Sequence, residues 1–339
     1  MSIAVKTVDG PSTNGFEDTF LLNNSVPGLD FEEIDLSLTF LSKRISYPII
    51  INAITGGTDR AININRCLAT MAAKYDLPMA VGSGNVAILQ PEARSSFEIV
   101  RQINPDGLIF ANIGANESAD KALKVIEIIA ADALQLHFNV PQELAMREGD
   151  RHFKHVLANV KKIVDLSPVP VIAKEVGFGF SREAVEKLFN CGVKIFDNGG
   201  KGGTNFIVIE KHREGNFNNE FDDWGIPTAW SLAEIVALNL PVTLIASGGI
   251  RTAIDAVKAI AMGADLAGIA GPLLKNILNE GPESADKYLN DFLFNLKAAF
   301  LMTGAKNIEE LSLKPLIIMN QTAEWLKARG ISTETWSGR

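Results

Sequence analysis

Val242-Thr243-Leu244-Ile245-Ala246-Ser247-Gly248-Gly249-Ile250-Arg251, followed by Leu266-Ala267-Gly268-Ile269-Ala270-Gly271-Pro272, is the stretch that decides the fold. Each half closes an apolar run with small residues and opens a helix. Backbone N–H groups at a helix N-terminus are unsatisfied and carry partial positive charge, so glycines that admit a close approach make an anion site there. The two halves lie about twenty residues apart, one strand-helix unit, which is the spacing of the phosphate site after the seventh and eighth strands of a (β/α)8 barrel.

Working outward from that stretch, β-rich runs alternate with helical patterns along the whole chain. The runs are Pro48–Ile54, Pro78–Ser83, Leu108–Ile113, Ala133–Phe138, Val169–Val176, Lys194–Asn198, Val242–Ser247 and Leu266–Ala270. Between them Ala61–Tyr75, Ala119–Ile129 and Ala253–Met262 repeat apolar residues at helical spacing. Strands separated by helices are parallel, and eight of them close into a barrel rather than an open sheet. A doubly wound sheet would want G-x-G-x-x-G after its first strand, and Ile54-Thr55-Gly56-Gly57-Thr58 does not supply it. The expectation is an α/β chain forming one (β/α)8 TIM-barrel domain over 1–339. Residues 1–47 form an Asn- and Asp-rich N-terminal extension, 48–279 the barrel, and 280–339 a helical C-terminal extension.

Composition narrows the function. The 339 residues are 47% hydrophobic and 21% charged, with a net charge of -8 and a pI near 5.2. That balance argues against nucleic acid or an anionic membrane as the main partner, so a phosphate ligand has to be held by a local site. No apolar run approaches the roughly 18 residues of a membrane span, and MSIAVKTVDG has no signal-peptide core. The expected location is the cytoplasm. Two cysteines, Cys67 and Cys191, are too few for a disulfide framework or an iron-sulfur cluster.

In a barrel, chemistry sits at the C-terminal ends of the strands. Those ends read Thr55, Ser83, Asn112, His137 with Asn139, Lys174, Asn198 and Ser247. Strand ends meet water and are polar for that reason alone, yet nearly every one here carries a hydrogen-bonding side chain. Lys174 follows Pro170-Val171-Ile172-Ala173 and is expected to point into the mouth, supplying positive charge to an anion that develops on a bound cofactor. The other reading is a salt-bridged rim lysine. Asp197-Asn198-Gly199-Gly200-Lys201-Gly202-Gly203-Thr204-Asn205-Phe206 lets backbone approach a ligand, or forms a lid with no ligand contact; it is not a P-loop. No pair of carboxylic acids stands out at the strand ends, so a cofactor would carry the hard step. His137 alone also fits a satisfied core histidine, and Glu143 a carboxylate favoured by a helix N-terminus. His152 and His155, three apart on an expected helix, read as a solvated face.

Thr55-Gly56-Gly57-Thr58, Gln135-Leu136-His137-Phe138-Asn139 with Gln142-Glu143-Leu144, Glu148-Gly149-Asp150-Arg151, Lys174-Glu175-Val176-Gly177-Phe178-Gly179, the glycine loop, SGGIR and AGP together resemble the type 2 isopentenyl-diphosphate isomerases. The likeness runs from about Gly15 into the C-terminal helices. It implies a homo-tetramer or higher homo-oligomer that interconverts isopentenyl and dimethylallyl diphosphate with FMN, Mg2+ and NADPH as reductant. In that family reduced flavin is the acid-base catalyst, with no net redox.

Carried over by matching motif, Ala53, Ile54 and Thr55 would line the flavin, with Ser83 and Asn112 hydrogen-bonded to it. Lys174 would face the N1/O2 edge and Thr204 the phosphate side. Gly248, Gly249, Arg251, Ala270 and Gly271 would bind the phosphate. Gln142 would contact substrate and Glu143 would hold Mg2+, while His137 and Asn139 complete the pocket; Gln142, His137 and Lys174 form the implied catalytic set.

The chain also departs from that family. An Arg-Lys pair followed by Glu-His, which grips the diphosphate near the family's N-terminus, is not found. The match begins at Asn14-Gly15-Phe16-Glu17-Asp18, and Lys6 is the one base before it. Ser83-Gly84-Asn85 stands at a site that is often bulkier, Arg147 where a proline is usual, and Asn198 for a small residue. Each lost charge-assisted contact removes roughly 1.5–3 kcal/mol. Three readings follow: an isomerase that recruits Lys6, Lys43, Arg44 or a neighbouring subunit; an FMN enzyme of the same fold with another substrate; and a flavin-binding protein without turnover. Retained Gln142, Glu143 and Lys174 argue against the third.

Overall fold

The computed structural model describes residues 13–213 and 219–339. Three short strands, β1 (Thr19–Leu21), β2 (Leu38–Phe40) and β3 (Lys43–Ile45), precede the barrel. Its eight strands are β4 (Ile49–Ile51), β5 (Met79–Ala80), β6 (Ile109–Gly114), β7 (Ala133–Phe138), β8 (Val171–Glu175), β9 (Ile195–Asp197), β10 (Thr243–Ser247) and β11 (Leu266–Ile269). β12 (Leu316–Ile318) comes last. Strands β4 to β11 pair in parallel with their sequence neighbours, and β11 pairs with β4 to close the barrel. The expected fold is borne out.

Each expected run overlaps one barrel strand, with β6 running one residue past its expected end to Gly114, and the trimmed ends have local causes. Pro170 has no N–H to give a neighbour, so β8 starts at Val171. The helix expected from Ala61 starts at Asp59 because the Thr58 hydroxyl accepts the Ala61 N–H and caps it there. Ala253–Met262 is bounded as expected, by a Thr252/Asp255 capping box and by Gly263 at φ 125°.

Along each strand the side chains alternate between the barrel interior and the surrounding helices. Ile49 and Ile51 pack outward into the main core, while Ile50 joins Phe110, Ala133, Ile172, Ile195, Ile245 and Leu266 in an apolar interior layer. The β2–β3 hairpin closes the bottom of that layer with Phe40 and Ile45, Phe40 lying edge-on to Phe110 at 6.0 Å. The interior is therefore open only at the C-terminal ends of the strands.

The C-terminal segment is mostly helical but contains β12, which was not foreseen. It pairs antiparallel with β1, so the two extensions clasp each other. Asp18 fastens the clasp by accepting from the Thr322 N–H and hydroxyl and from Asn320. Trp336, fully buried, donates its indole N–H to the Met262 carbonyl at 2.8 Å. Among the described residues no helix is long and apolar enough to cross a membrane.

Candidate active site

Two residues beyond six of the apolar interior positions the same alternation delivers a polar side chain to the same interior face, while Leu266 is followed by Gly268. Ile50 leads to Asn52, Phe110 to Asn112, Ala133 to Gln135 and then His137, Ile172 to Lys174, Ile195 to Asp197, and Ile245 to Ser247. The pairings Asn112↔Gln135, His137↔Lys174 and Lys174↔Asp197 set these groups side by side across the sheet.

Asp197 is fully buried and anchors this polar layer. Its carboxylate accepts from Lys174 Nζ at 2.8 Å, Asn52 Nδ2 at 2.6 Å and the Gly199 N–H at 3.3 Å, and from the Ser247 hydroxyl. Lys174, 7% exposed, also reaches the Ser247 Oγ at 3.4 Å. It is thus a buried cation facing a cavity, not a rim lysine. From Asn52 the hydrogen bonds continue through Gln135 at 3.1 Å and Asn112 at 2.9 Å to His137 at 2.8 Å. Burial and the nearby Lys174 charge push the His137 pKa down to about 4, so the ring is neutral at pH 7. Glu175 is pushed up to about 8 by burial, which outweighs the N–H groups of Phe178 and Gly179 donating to it at 2.6 and 2.9 Å.

Above this floor lies a cavity of about 400 Å³, within the range of ligand pockets. Ala53, Ile54, Ser83, Asn112, Lys174 and Thr204 line it, as do Gly248, Gly249, Arg251, Ala270 and Gly271. Gly248 (φ 102°) and Gly249 (φ 74°) hold left-handed backbone, and a Cβ at Gly248 would collide with the Gly200 carbonyl. Asn14 braces the turn by donating to the Gly249 carbonyl at 2.7 Å. Alongside, the helix Gly271–Asn279 starts without a side-chain cap, and nothing lies within 4 Å of a Cβ placed on Gly271. An uncapped helix start beside a glycine turn at the cavity edge suits a phosphate, and Lys174 suits an anionic ring system beside it.

On the opposite wall the helix Val140–Ala145 carries Gln142 and Glu143. Asn139 Nδ2 donates to Glu143 Oε1 at 2.9 Å, and Gln142 Nε2 donates to Glu210 Oε1 at 3.2 Å. The Asp150 N–H donates to the other Glu143 oxygen at 2.7 Å, and a Cβ on Gly149 would strike the Glu143 carbonyl. A second cavity of about 600 Å³ adjoins the first, sharing Ser83, His137, Asn139 and Glu143 with it.

Residues 90–318 match the FMN-dependent dehydrogenase family. The isopentenyl-diphosphate delta-isomerase of Symbiobacterium thermophilum is 43% identical over 333 residues, spanning 97% of this chain and 92% of that one. That of Moorella thermoacetica is 44% identical over 321 residues, spanning 95% and 93%. The chain belongs to the isopentenyl-diphosphate delta-isomerase family. Its fold extends more widely: a mandelate oxidase variant superposes with a TM-score of 0.69 at 14% identity, over 94% of each chain.

Within the isopentenyl-diphosphate delta-isomerase family frame, the structure brings the expected site residues together around the two cavities, with one exception. Thr55 is buried off the cavity wall, and its carbonyl accepts from the Gly82 N–H at 3.0 Å and Asn65 Nδ2 at 3.2 Å. Of the three residues expected to line the cofactor, Ala53 and Ile54 line the cavity and Thr55 does not. Asn198 is likewise a brace, donating to the Thr228 carbonyl at 2.9 Å and accepting the Ser247 N–H at 3.0 Å. The glycine loop is fastened to the end of β10 through Gly200 N–H and Ser247 O at 2.8 Å.

Two further expectations are corrected. Lys43 and Arg44 lie on β3, in the hairpin closing the far end of the barrel; Lys43 bonds the Asp106 carbonyl and Asp132, and Arg44 pairs with Asp35. Neither can stand in for a missing phosphate grip at the mouth. Lys6 lies outside the described residues. His152 and His155 precede the helix Val156–Leu166 rather than riding on it, both exposed. The sequence reading did not single out Asn52, Gln135, Asp197, Glu175 or Glu210. The first three follow an inward apolar residue by two positions, which was the signal available.

Proposed function

We propose that the protein interconverts isopentenyl diphosphate and dimethylallyl diphosphate, with FMN seated in the inner cavity. The observation that carries this reading is one arrangement: the buried Lys174–Asp197 pair, the glycine-lined turn and uncapped helix on one wall, and Gln142 held by Glu210 on the other. Reduced FMN, when bound, supplies the acid-base chemistry that no strand-end carboxylate pair offers. Lys174 places positive charge where an anionic bound group needs it. Gly248, Gly249, Ala270 and Gly271 offer close backbone approach to the phosphate, with Arg251 beside them. Glu210 orients Gln142 toward the substrate, and Asn139 orients Glu143. Glu143 is the residue we propose for Mg2+, with the remaining ligands drawn from the diphosphate and water; no cluster of three ligating side chains is found among the described residues. NADPH as reductant, a homo-oligomeric assembly and a cytoplasmic location are part of the same proposal.

A second reading, an FMN enzyme of this family with another substrate, is favoured by the outer cavity. Its lining includes Glu117, Glu143, Glu148 and Asp150. Its one arginine, Arg151, spends its guanidinium on the carbonyls of Glu143, Leu144, Met146, Gly149 and Asp150. An anaerobic assay with dithionite-reduced FMN and Mg2+, following isopentenyl diphosphate, separates the two. Turnover at micromolar substrate supports the isomerase. No turnover at millimolar substrate, with flavin shown to be bound and reduced, favours the second reading.

A further inference from the structure

The buried side chains between Asp197 and His137 form a chain with a direction. Asp197, Asn52, Gln135 and Asn112 are each at most 3% exposed, so no solvent competes for their hydrogen bonds. A side-chain amide donates at one end and accepts at the other, so one fixed member fixes the next. Asn52 is fixed twice. Its Nδ2 meets the acceptor-only carboxylate of Asp197 at 2.6 Å, and its Oδ1 takes the Ala53 N–H, which can only donate, at 2.9 Å. Gln135 must then donate its Nε2 to Asn52 Oδ1 and turn its Oε1 to Asn112. Asn112 must donate to that oxygen and has only Oδ1 left for His137. The nitrogen facing that oxygen, His137 Nδ1, has to carry a proton.

We propose that Asp197, Asn52, Gln135 and Asn112 are positioning residues that hold the His137 proton on Nδ1 and present Nε2 to the cavities as a bare acceptor. His137 lines both cavities, and its Nε2 lies 3.4 Å from a Cβ placed on Gly114. The group that meets Nε2 in the neutral ring must therefore be a donor: a hydroxyl, a protonated phosphate oxygen, or a water held by the ligand or its cation. A fully ionised phosphate oxygen would face a lone pair. The inference rests on hydrogen-bond direction and is independent of which substrate the site takes.

The test is nitrogen-15 NMR of histidine-labelled, FMN-loaded, full-length protein at pH 7. The chain has four histidines, and loss of one signal set in His137→Gln assigns His137. Two-bond proton-nitrogen couplings distinguish Nε2, which couples to both ring C–H protons. The expected spectrum has a pyridine-type Nε2 and a pyrrole-type Nδ1, with at least about a tenfold excess of that tautomer. A proton on Nε2, or two averaged nitrogens, overturns the proposal, and the wild-type spectrum alone decides that point.

Transmission is tested by Gln135→Leu, which removes a link without touching the imidazole. It frees Asn112 to flip, so the two nitrogen shifts should move toward each other. Gln135→Glu, whose neutral acid can donate to Asn52 and accept from Asn112, should restore the wild-type pattern. If Gln135→Leu does not fold, Asn52→Leu breaks the chain one link further away, with the same expected result. A folded broken-chain variant with unchanged shifts overturns the role of the chain.

Discussion

Removing the ammonium of Lys174 should destabilise the protein far more than removing the whole Lys174–Asp197 pair. In Lys174→Met the carboxylate of Asp197 stays fully buried with only Asn52, Ser247 and Gly199 donating to it. Breaking one side of a buried ion pair costs about 3–5 kcal/mol, and the three surviving donors place this case near the lower figure. At about 2.1 cal/mol/K of unfolding entropy per residue, a chain this long shifts its Tm by roughly 1.4 °C per kcal/mol, so the expected drop is about 4 °C. Asp197→Asn strands the ammonium instead and should lose a similar amount. The double variant buries no net charge and should return to within about 1 kcal/mol of wild type, a coupling of several kcal/mol in the cycle. Calorimetric melts of the four proteins without added FMN at pH 7 supply the numbers. A Lys174→Met loss below about 0.5 kcal/mol, or single losses that simply add, would refute the placement of this pair as a mutually dependent buried unit. A double variant with restored stability and no turnover separates the structural task of the lysine from its task at the cavity.

Glu175 should impose a pH slope on stability. Its folded pKa is about 8 against an ordinary 4.5, so the native state holds the extra proton in that window, and stability falls as pH rises through it, by on the order of 5 kcal/mol in all. Urea midpoints between pH 6.5 and 8.5 should flatten in Glu175→Gln; an unchanged slope would remove Glu175 as its source. Gly248→Ala forces a side chain into left-handed backbone and against the Gly200 carbonyl, so FMN affinity measured by fluorescence quenching should fall at least about tenfold. Gly149→Ala pushes the Asp150 N–H off Glu143, and any Mg2+ activation should weaken with it while FMN affinity holds. Glu143→Gln should abolish a Mg2+ response altogether, and an equal response in that variant would take Glu143 out of the metal site.

The barrel was legible because its strands are consecutive apolar runs, with β-branched residues facing both ways, as buried parallel strands require. The extension strands β1 and β12 were not, since three residues such as Thr19-Phe20-Leu21 carry too little periodicity to stand out, and their pairing depends on a partner almost three hundred residues away. The site was legible at strand ends and in its glycine turns. It was missed one level lower. Asn52 and Asp197 sit inside the apparent hydrophobic runs, where a polar residue looks like an interruption. The period-two count from Ile50 and Ile195 makes them inward-facing neighbours in space. Thr55 shows the converse: it directly follows an expected run, but the strand has already ended at Ile51, and Thr55 is buried away from the cavity with its backbone carbonyl accepting from Asn65. Lys43 and Arg44 looked available as phosphate bases because composition does not say at which end of a barrel a residue lies.

The outer cavity and the direction of the His137 proton bear on the same problem, the recognition of a diphosphate without an evident arginine-lysine grip among the described residues. Lys121 is engaged by Glu117 at 2.7 Å, Arg213 by Glu210 at 2.9 Å and by Glu148 at 4.0 Å, and Arg151 by backbone carbonyls. Glu143 and Asp150 add negative charge to the lining, and His137 offers a lone pair. An anion entering here is stabilised only if it brings positive charge or protons with it. A divalent cation at the proposed Glu143 site would do both, since its charge would offset the carboxylates and water bound to it could donate to acceptors such as His137 Nε2 and the unpartnered Asn85 Oδ1. On the proposal that Glu143 holds such a cation, the metal would be the main phosphate-recognition element of this chain, and its affinity and that of the diphosphate should rise together.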